Sequence, residues 1–491
     1  MLRSPKPQNP RRDRAAWYRR SSTLAVGLTA LIAVPLGVVS SAPPANAADG
    51  DTDAARFKGV NWARPGDNFV DGPVVPEGLD VSDSYATVKA KAATVYDGFR
   101  RTSGADTVRL PINTYSVPGT KWGDAYTGAI DAATAKGFKV ILSYWEDGAS
   151  SDGKIVDTAA FNSMWDSVVA KYGENSQVYF EPMNEPHGYT AAAWADVAAA
   201  WLSDRPSVPR DRIIISGSGY NSEVTSVCAD DRLDGTHLSL HLYAFQFASK
   251  TYDEWITEFR NRIGSCGART VMDEFGAPMD DGRNYNDASS TDNFVRYLRA
   301  ATDTIRSLDM GGIYWPALGG KHKHRPTHDW YALYRLEGSG SDLRLRVHNT
   351  TGLDRLAYAW GVRSGSATTA LKNGGSQDCL DVPASSHVNR TQVMTYKCGG
   401  GENQKWTRTA TGQITVYGGE KCLDALGQGT TNGTKVGVYD CNDGTNQRWA
   451  FYSDGTIRSV LSGLCLDLNA ETSRVQLYSC WGGSNQKWEL A

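Results

Sequence analysis

Two glutamates sit among residue types that serve proton transfer and nucleophilic attack. Glu185 lies in FEPMNEPH and Glu274 in VMDEFG. Around them stand Arg109 in VRLP, Asn184 beside Glu185, His241 and Tyr243 in HLY, and Trp315 in IYWP. A carboxylic acid that protonates a leaving oxygen, paired with a carboxylate that attacks or assists at an anomeric carbon, is the minimum equipment for breaking a glycosidic bond. Taken singly, each segment also has a structural reading. Asn-Glu-Pro would end a strand and open a loop, Asp-Glu-Phe-Gly would be a buried carboxylate pair at a turn, Arg109 a structural ion pair and Trp315 a core residue.

The elements that must hold these residues form a pattern. Short apolar runs suited to strands occur at Phe57–Trp62, Asp106–Pro111, Lys139–Tyr144, Val178–Met183, Ile213–Gly217, His237–Leu242, Thr270–Phe275 and Gly311–Trp315. Amphipathic stretches lie between them at Ser84–Arg101, Thr158–Tyr172, Thr190–Leu202, Tyr252–Ile263 and Thr291–Leu308. Eight strands with crossover helices predict a (β/α)8 barrel, whose chemistry gathers at the C-terminal strand ends. Every residue singled out above falls at such an end. Glu181 is expected in a deeper layer of the same wall. Asp273 is expected to face away from Glu274, because successive strand residues point to opposite sides.

In this order and placement, the residues resemble the retaining glycosidases of glycoside hydrolase family 5 over roughly residues 56–361. The resemblance implies that Glu185 is the acid/base and Glu274 the nucleophile, held about 5 Å apart. Those roles call for a raised proton affinity at Glu185 and an ionised Glu274, the latter kept charged by Arg109 and Tyr243. Asn184 would hydrogen-bond the sugar 2-hydroxyl, His241 would sit near the acid/base, and Trp315 would floor the sugar. One departure stands out: family members usually carry a His after the third strand, where ILSYWEDG places Trp145. Tyr144, Trp145, Glu146 or Asp147 would then touch the sugar. Trp62, Tyr115, Trp122 and Phe245 read equally as packing or as stacking platforms. The run KHKHRPTH after the eighth strand carries His322, His324 and His328 with no evident carboxylate partner. It reads as a solvated or sugar-facing rim, and no metal or other cofactor is expected.

A second pattern occupies the C-terminal quarter. Cys-Leu-Asp, a Tyr two residues before a second Cys, and Asn-Gln-x-Trp recur three times, beginning at Cys379, Cys422 and Cys465, 43 residues apart. Units of this size cannot bury a hydrophobic face alone, so three are expected to share one core, centred on Trp406, Trp449 and Trp488. The repeats resemble ricin-type β-trefoil lectins, carbohydrate-binding module family 13, over roughly residues 372–491. By that resemblance each repeat offers a shallow sugar pocket: Asp381, Tyr396 and Asn403; Asp424, Tyr439 and Asn446; Asp467, Tyr478 and Asn485. The third alone adds Gln476, where the first has Met394 and the second Gly437.

Six cysteines pair within the repeats, Cys379/Cys398, Cys422/Cys441 and Cys465/Cys480, closing loops of 15 to 19 residues. Cys228 and Cys266 would make a fourth bridge; the competing reading, a zinc site, finds no Cys-x-x-Cys spacing to support it. Residues 1–47 read as a secretory signal: seven Lys/Arg, an apolar run from Leu24 to Val39, and the small-x-small site Ala45-Asn46-Ala47. Their removal takes the formal net charge from −3 to −9, which disfavours nucleic acid and anionic lipid as partners. The expected organisation is a signal (1–47), a glycoside hydrolase barrel (48–361), a flexible Ser/Thr/Gly-rich linker (362–371) and the trefoil (372–491).

The chain is therefore expected to be a secreted, extracellular, monomeric retaining glycoside hydrolase. Its substrate would be a polysaccharide of the β-glucan, mannan or galactan class, or its oligosaccharides, with a lectin domain as anchor. No nucleic acid and, once the signal is removed, no membrane is expected to bind. The alternatives are a catalytically inactive carbohydrate-binding protein and a transglycosylase on the same site.

Overall fold

Runs such as VILSY and LSLH, rich in β-branched and leucine side chains, become buried parallel strands, and the intervening amphipathic stretches cover them. The computed structural model describes residues 53–146, 152–362 and 368–491. The expected signal segment and Asp147 lie outside these, as do residues 363–367 of the expected linker; Thr368–Thr369 is already a strand. Eight strands form the barrel: β1 Lys58–Pro65, β2 Thr107–Ile112, β3 Lys139–Tyr144, β4 Val178–Glu181, β5 Ile214–Ser216, β6 His237–His241, β7 Thr270–Phe275 and β8 Gly311–Gly320. All neighbours pair in parallel in the order β4-β3-β2-β1-β8-β7-β6-β5, and a parallel bridge between Phe180 and Ile213 closes the ring. Helices expected at Thr158–Tyr172 and Tyr252–Ile263 occupy those residues, and others begin one residue after Ser84 and Thr190, whose side chains cap the free N–H groups. A helix not expected from the sequence spans Lys121–Ala135. The β5–β6 crossover holds only short turns of helix, at Ser218–Asn221 and Thr225–Cys228.

The barrel interior changes character along its axis. Its lower end is plugged by Phe57, Ile141, Tyr179, Ile214, Val271 and Ile313. Above that apolar layer lie Asn61, Arg109, Ser143, Glu181, Ser239 and Asp273, all buried. The expectation that Asp273 faces away is corrected. The β7–β8 register slips between Met272 and Phe275, breaking the alternation, so Asp273 and Glu274 both reach Arg109.

The C-terminal residues form the β-trefoil. Each repeat builds a hairpin from its Cys-Leu-Asp strand and its Tyr strand: Cys379–Asp381 with Met394–Tyr396, Lys421–Ala425 with Val436–Asp440, Cys465–Asn469 with Arg474–Tyr478. Trp406, Trp449 and Trp488 join one core, and their indole N–H groups donate to Leu380 O (2.8 Å), Leu423 O (3.0 Å) and Leu466 O (2.9 Å).

All four expected disulfides are formed: Cys228–Cys266, Cys379–Cys398, Cys422–Cys441 and Cys465–Cys480. The two halves of each trefoil bridge differ in a way the sequence pattern did not show. Cys379, Cys422 and Cys465 are fully buried in their strands, whereas Cys398, Cys441 and Cys480 are exposed. Each of these second cysteines lies just past the end of its Tyr strand, where the chain leaves the hairpin for the surface. The bridge therefore pins a surface segment to a core strand.

The trefoil packs directly on the barrel domain rather than depending on its linker alone. Leu345, in the hairpin Tyr334–Glu337/Arg344–Val347, exchanges backbone and side-chain hydrogen bonds with Ser453 at 2.8 Å each. A Cβ on Gly98 would come within 2.7 Å of Leu345 Cδ1 and 3.0 Å of Ser453 Cβ, so the helix Tyr85–Ser103 meets this junction closely through its glycine. Arg408 of the trefoil pairs with Asp354 of the helix Thr350–Ala359, both buried.

Candidate active site

At the C-terminal end of the barrel, Arg109 organises the polar layer with all of its donors. Nε and Nη2 hold Glu181 at 2.6 and 2.7 Å, Nη2 also reaches Asn184 Oδ1 (2.7 Å) and Ser143 Oγ (3.0 Å), and Nη1 reaches Glu274 Oε1 (2.6 Å) and Asn61 Oδ1 (3.1 Å). Five donors in a fixed fork allow one side chain to set so many positions. Tyr243 donates its hydroxyl to Glu274 Oε2 at 3.0 Å. Burial first, and then the Glu274 charge, push the Tyr243 hydroxyl far up, so it remains a donor.

Glu185 follows β4 in a turn and has a left-handed backbone (φ 47°), an unfavoured conformation for a side chain of this type. Its Oε1 lies 3.0 Å from His241 Nδ1. An oxygen of Glu185, one of Glu274 and a ring nitrogen of His241 all lie within 4.8 Å of one another. The predicted set Arg109, Asn184, Glu185, His241, Tyr243, Glu274 and Trp315 is thus gathered at one place.

Burial raises the Glu274 carboxyl above its ordinary value, against the downward pull of His241 and Arg109. Arg109 and Tyr243, the two expected partners, both reach this carboxylate. Burial would lower the His241 value, but Glu274, Asp273 and Glu185 push it up to about 10. Beneath, burial raises Glu181 to about 7 despite its Arg109 partner.

A cleft of 650 Å³ opens above the pair. Trp315 and Trp145 stack along its wall, centroids 5.4 Å apart. Trp145, at the position where a His was expected, therefore does reach the cleft, whereas Tyr144 packs on Phe161 and Glu146 is buried outside the lining. Of the four undecided aromatics, Phe245 lines the cleft and is exposed; Trp62 and Trp122 are core, and Tyr115 donates to Asp71 on the surface. The histidines of KHKHRPTH do not converge. His324 lies on Trp330 at the cleft rim, with Lys321 and Lys323 beside it, and His328 Nε2 is 3.0 Å from Asp280 Oδ2, a carboxylate partner not evident in the sequence. Phe69, Tyr220, Gln246 and Tyr331 also line the cleft; nothing in their local sequence marked them.

In the trefoil, Asp381, Asp424 and Asp467 each accept from two amides: Asn403 and Gln404 (2.8 Å each), Asn446 and Gln447 (2.8 and 2.9 Å), Asn485 and Gln486 (2.9 and 3.0 Å). The three glutamines of Asn-Gln-x-Trp are buried and complete a clamp that the repeated motif announced but did not explain. Asp467 Oδ1 additionally accepts from Gln476 at 3.0 Å. The strand register sets Met394 opposite Asp381, Gly437 opposite Asp424 and Gln476 opposite Asp467. Tyr396, Tyr439 and Tyr478 are exposed beside these sites.

Fold and site together define a (β/α)8 barrel with paired carboxylates at its mouth, joined to a lectin-type trefoil. Comparison with known proteins is specific on both halves. Residues 76–316 match the model of cellulase (glycosyl hydrolase family 5) and residues 367–488 that of the ricin-type beta-trefoil lectin domain. It is 25% identical over 242 residues to Endoglucanase A of Evansella cellulosilytica, an alignment covering 46% of this chain and 46% of that one, so the match spans about half the relative's length. Among solved structures, the catalytic domain of the major endoglucanase from Xanthomonas campestris pv. campestris is similar over 62% of this chain and 94% of its own (16% identity, TM-score 0.46). The designed threefold-symmetric protein ThreeFoil is similar over 26% of this chain and 99% of its own (28% identity, TM-score 0.24).

Proposed function

We propose that the protein is a secreted retaining glycoside hydrolase. It would cleave O-glycosidic bonds of a polysaccharide of the β-glucan, mannan or galactan class by double displacement, with its trefoil anchoring it to the polymer. The observation that carries this reading is the approach of a Glu185 oxygen and a Glu274 oxygen to within 4.8 Å of each other, with His241 beside both. A close approach suits direct attack, whereas inversion needs room for a water between its carboxylates. Glu274 attacks the anomeric carbon while Glu185 protonates the departing oxygen; the glycosyl ester is then hydrolysed by water that Glu185 deprotonates. Asn184, oriented by Arg109, presents its amide to the sugar 2-hydroxyl, and Trp315 with Trp145 forms the apolar wall. Export is supported by four disulfides, and no helix among the described residues is long and apolar enough to cross a membrane.

The test is Glu274→Ala. The variant should lose hydrolysis, keep its fold and regain turnover of an activated glycoside when azide is supplied, giving a glycosyl azide. A variant with wild-type activity, or one that azide never rescues, contradicts the assignment of Glu274 as nucleophile.

A further inference from the structure

Asp273 is buried completely and its Oδ2 has no hydrogen-bond partner among the described residues; Arg109 Nε is 3.7 Å from it. Its Oδ1 accepts from Ser239 Oγ at 2.5 Å and lies 3.4 Å from His241 Nε2. The opposite ring nitrogen, Nδ1, faces Glu185 Oε1 at 3.0 Å and Glu274 Oε2 at 3.6 Å. The imidazole is thus held between carboxylates on both edges. An ionised carboxylate only accepts, and a neutral imidazole has a single N–H, so the doubly protonated ring is the form that satisfies both sides. From these contacts we propose that Asp273 is a positioning residue which keeps His241 as an imidazolium aimed at Glu185. This rests on the catalytic reading of Glu185.

One neighbour favours the opposite form. Asn221 Nδ2 stands 3.4 Å from His241 Nε2 and would suit an unprotonated nitrogen there. That amide already donates to Ser239 Oγ at 2.6 Å, a much better hydrogen bond, and a bare Nε2 lone pair would face the Asp273 carboxylate. The remaining charged groups around the ring are Glu181, whose oxygen clusters with an Asp273 oxygen and a His241 ring nitrogen, and Arg109, which pairs with Glu181. Four carboxylates therefore surround two cations, and the ring is one of the two.

The consequence for catalysis is directional. A fixed positive charge beside Glu185 favours its ionised form, which eases proton donation to the leaving oxygen and sets an upper pH limit for finding the acid protonated. In Asp273→Asn the shape is kept and the charge removed. The amide carbonyl introduced at position 273 would then accept from Nε2–H, leaving Nδ1 unprotonated and able to accept the Glu185 proton. Glu185 would hold its proton to higher pH.

Two measurements on the full chain test this. In the wild type, nitrogen chemical shifts of His241 should be those of an imidazolium at pH 7; a neutral ring there overturns the proposal, whether or not the variant folds. In Asp273→Asn, His241 should titrate near or below its ordinary range, and the alkaline limb of kcat/KM should move up by about one pH unit, the low end of the effect of an adjacent opposite charge. An unmoved limb with lower activity would reduce Asp273 to a structural residue and overturn the proposal. In a His241→Gln background, the same substitution should shift the limb no further. If the wild type hydrolyses no glycan at all, the catalytic reading fails, while the His241 titration still decides the charge assignment.

Discussion

The register of the trefoil hairpins allows one repeat to be converted toward another by a single side chain. Gln476→Met gives the third repeat the pairing of the first, where Met394 stands opposite Asp381. The substitution removes the Gln476 amide that donates to Asp467 Oδ1 at 3.0 Å and leaves untouched the clamp of Asn485 and Gln486 on Oδ2. It thus takes away a group that orients Asp467 and would face a bound sugar, while keeping the buried Gln486–Asp467 contact that Asp467→Ala would break. One lost hydrogen bond to a sugar hydroxyl is worth about 1 kcal/mol, or about a five-fold weaker Kd. The assay is affinity electrophoresis in gels containing a polysaccharide that retards the wild type. Gln476→Met should run with a roughly five-fold higher Kd and an unchanged melting temperature. Asp467→Ala should lose more retention than Asp381→Ala or Asp424→Ala. Equal losses from the three aspartate variants, or full retention of Gln476→Met, would refute the reasoning that the third repeat dominates binding.

Two further predictions concern stability. His241 is held protonated up to about 10, against an ordinary value of 6.5; a raised folded value contributes stability that is fully present below about pH 6.5 and lost as pH rises through 10. Thermal melts between pH 6.5 and 10 should therefore fall more steeply for wild type than for His241→Gln, and parallel curves would contradict the assignment. Arg408→Ala removes the buried Arg408–Asp354 ion pair from one side, a change that typically costs about 3–5 kcal/mol. It should lower the melting temperature and open the barrel–trefoil junction to limited proteolysis, whereas an unchanged melting curve would show that this contact does not hold the domains together.

Much of the barrel was legible because its strands are continuous apolar runs and the candidate site residues sit at their ends. The helix Lys121–Ala135 was not: KWGDAYTGAIDAATA is rich in glycine, alanine and threonine, and its buried face is made largely of small residues. The orientation of Asp273 failed for another reason. Strict alternation is a property of regular strands, and β7 departs from it beside the site. The trefoil repeats announced their own symmetry and their cysteine pairs, yet only coordinates show Gln404, Gln447 and Gln486 acting as clamps, or Cys398, Cys441 and Cys480 standing at the surface while their partners are buried. The docking of trefoil on barrel lay beyond sequence reasoning, since Arg408 and Asp354 are 54 residues apart and neither sits in a motif. Cleft residues such as Tyr220 and Phe69 are likewise assembled from loops that carry no periodic signal.

The central claim, that Glu185 and Glu274 cooperate in a double displacement, is tested most directly by the stereochemistry of the first product. In a proton NMR time course of hydrolysis, the earliest anomeric signal should have the configuration of the bond cleaved, with its anomer appearing only later by mutarotation. An inverted first product would contradict the account.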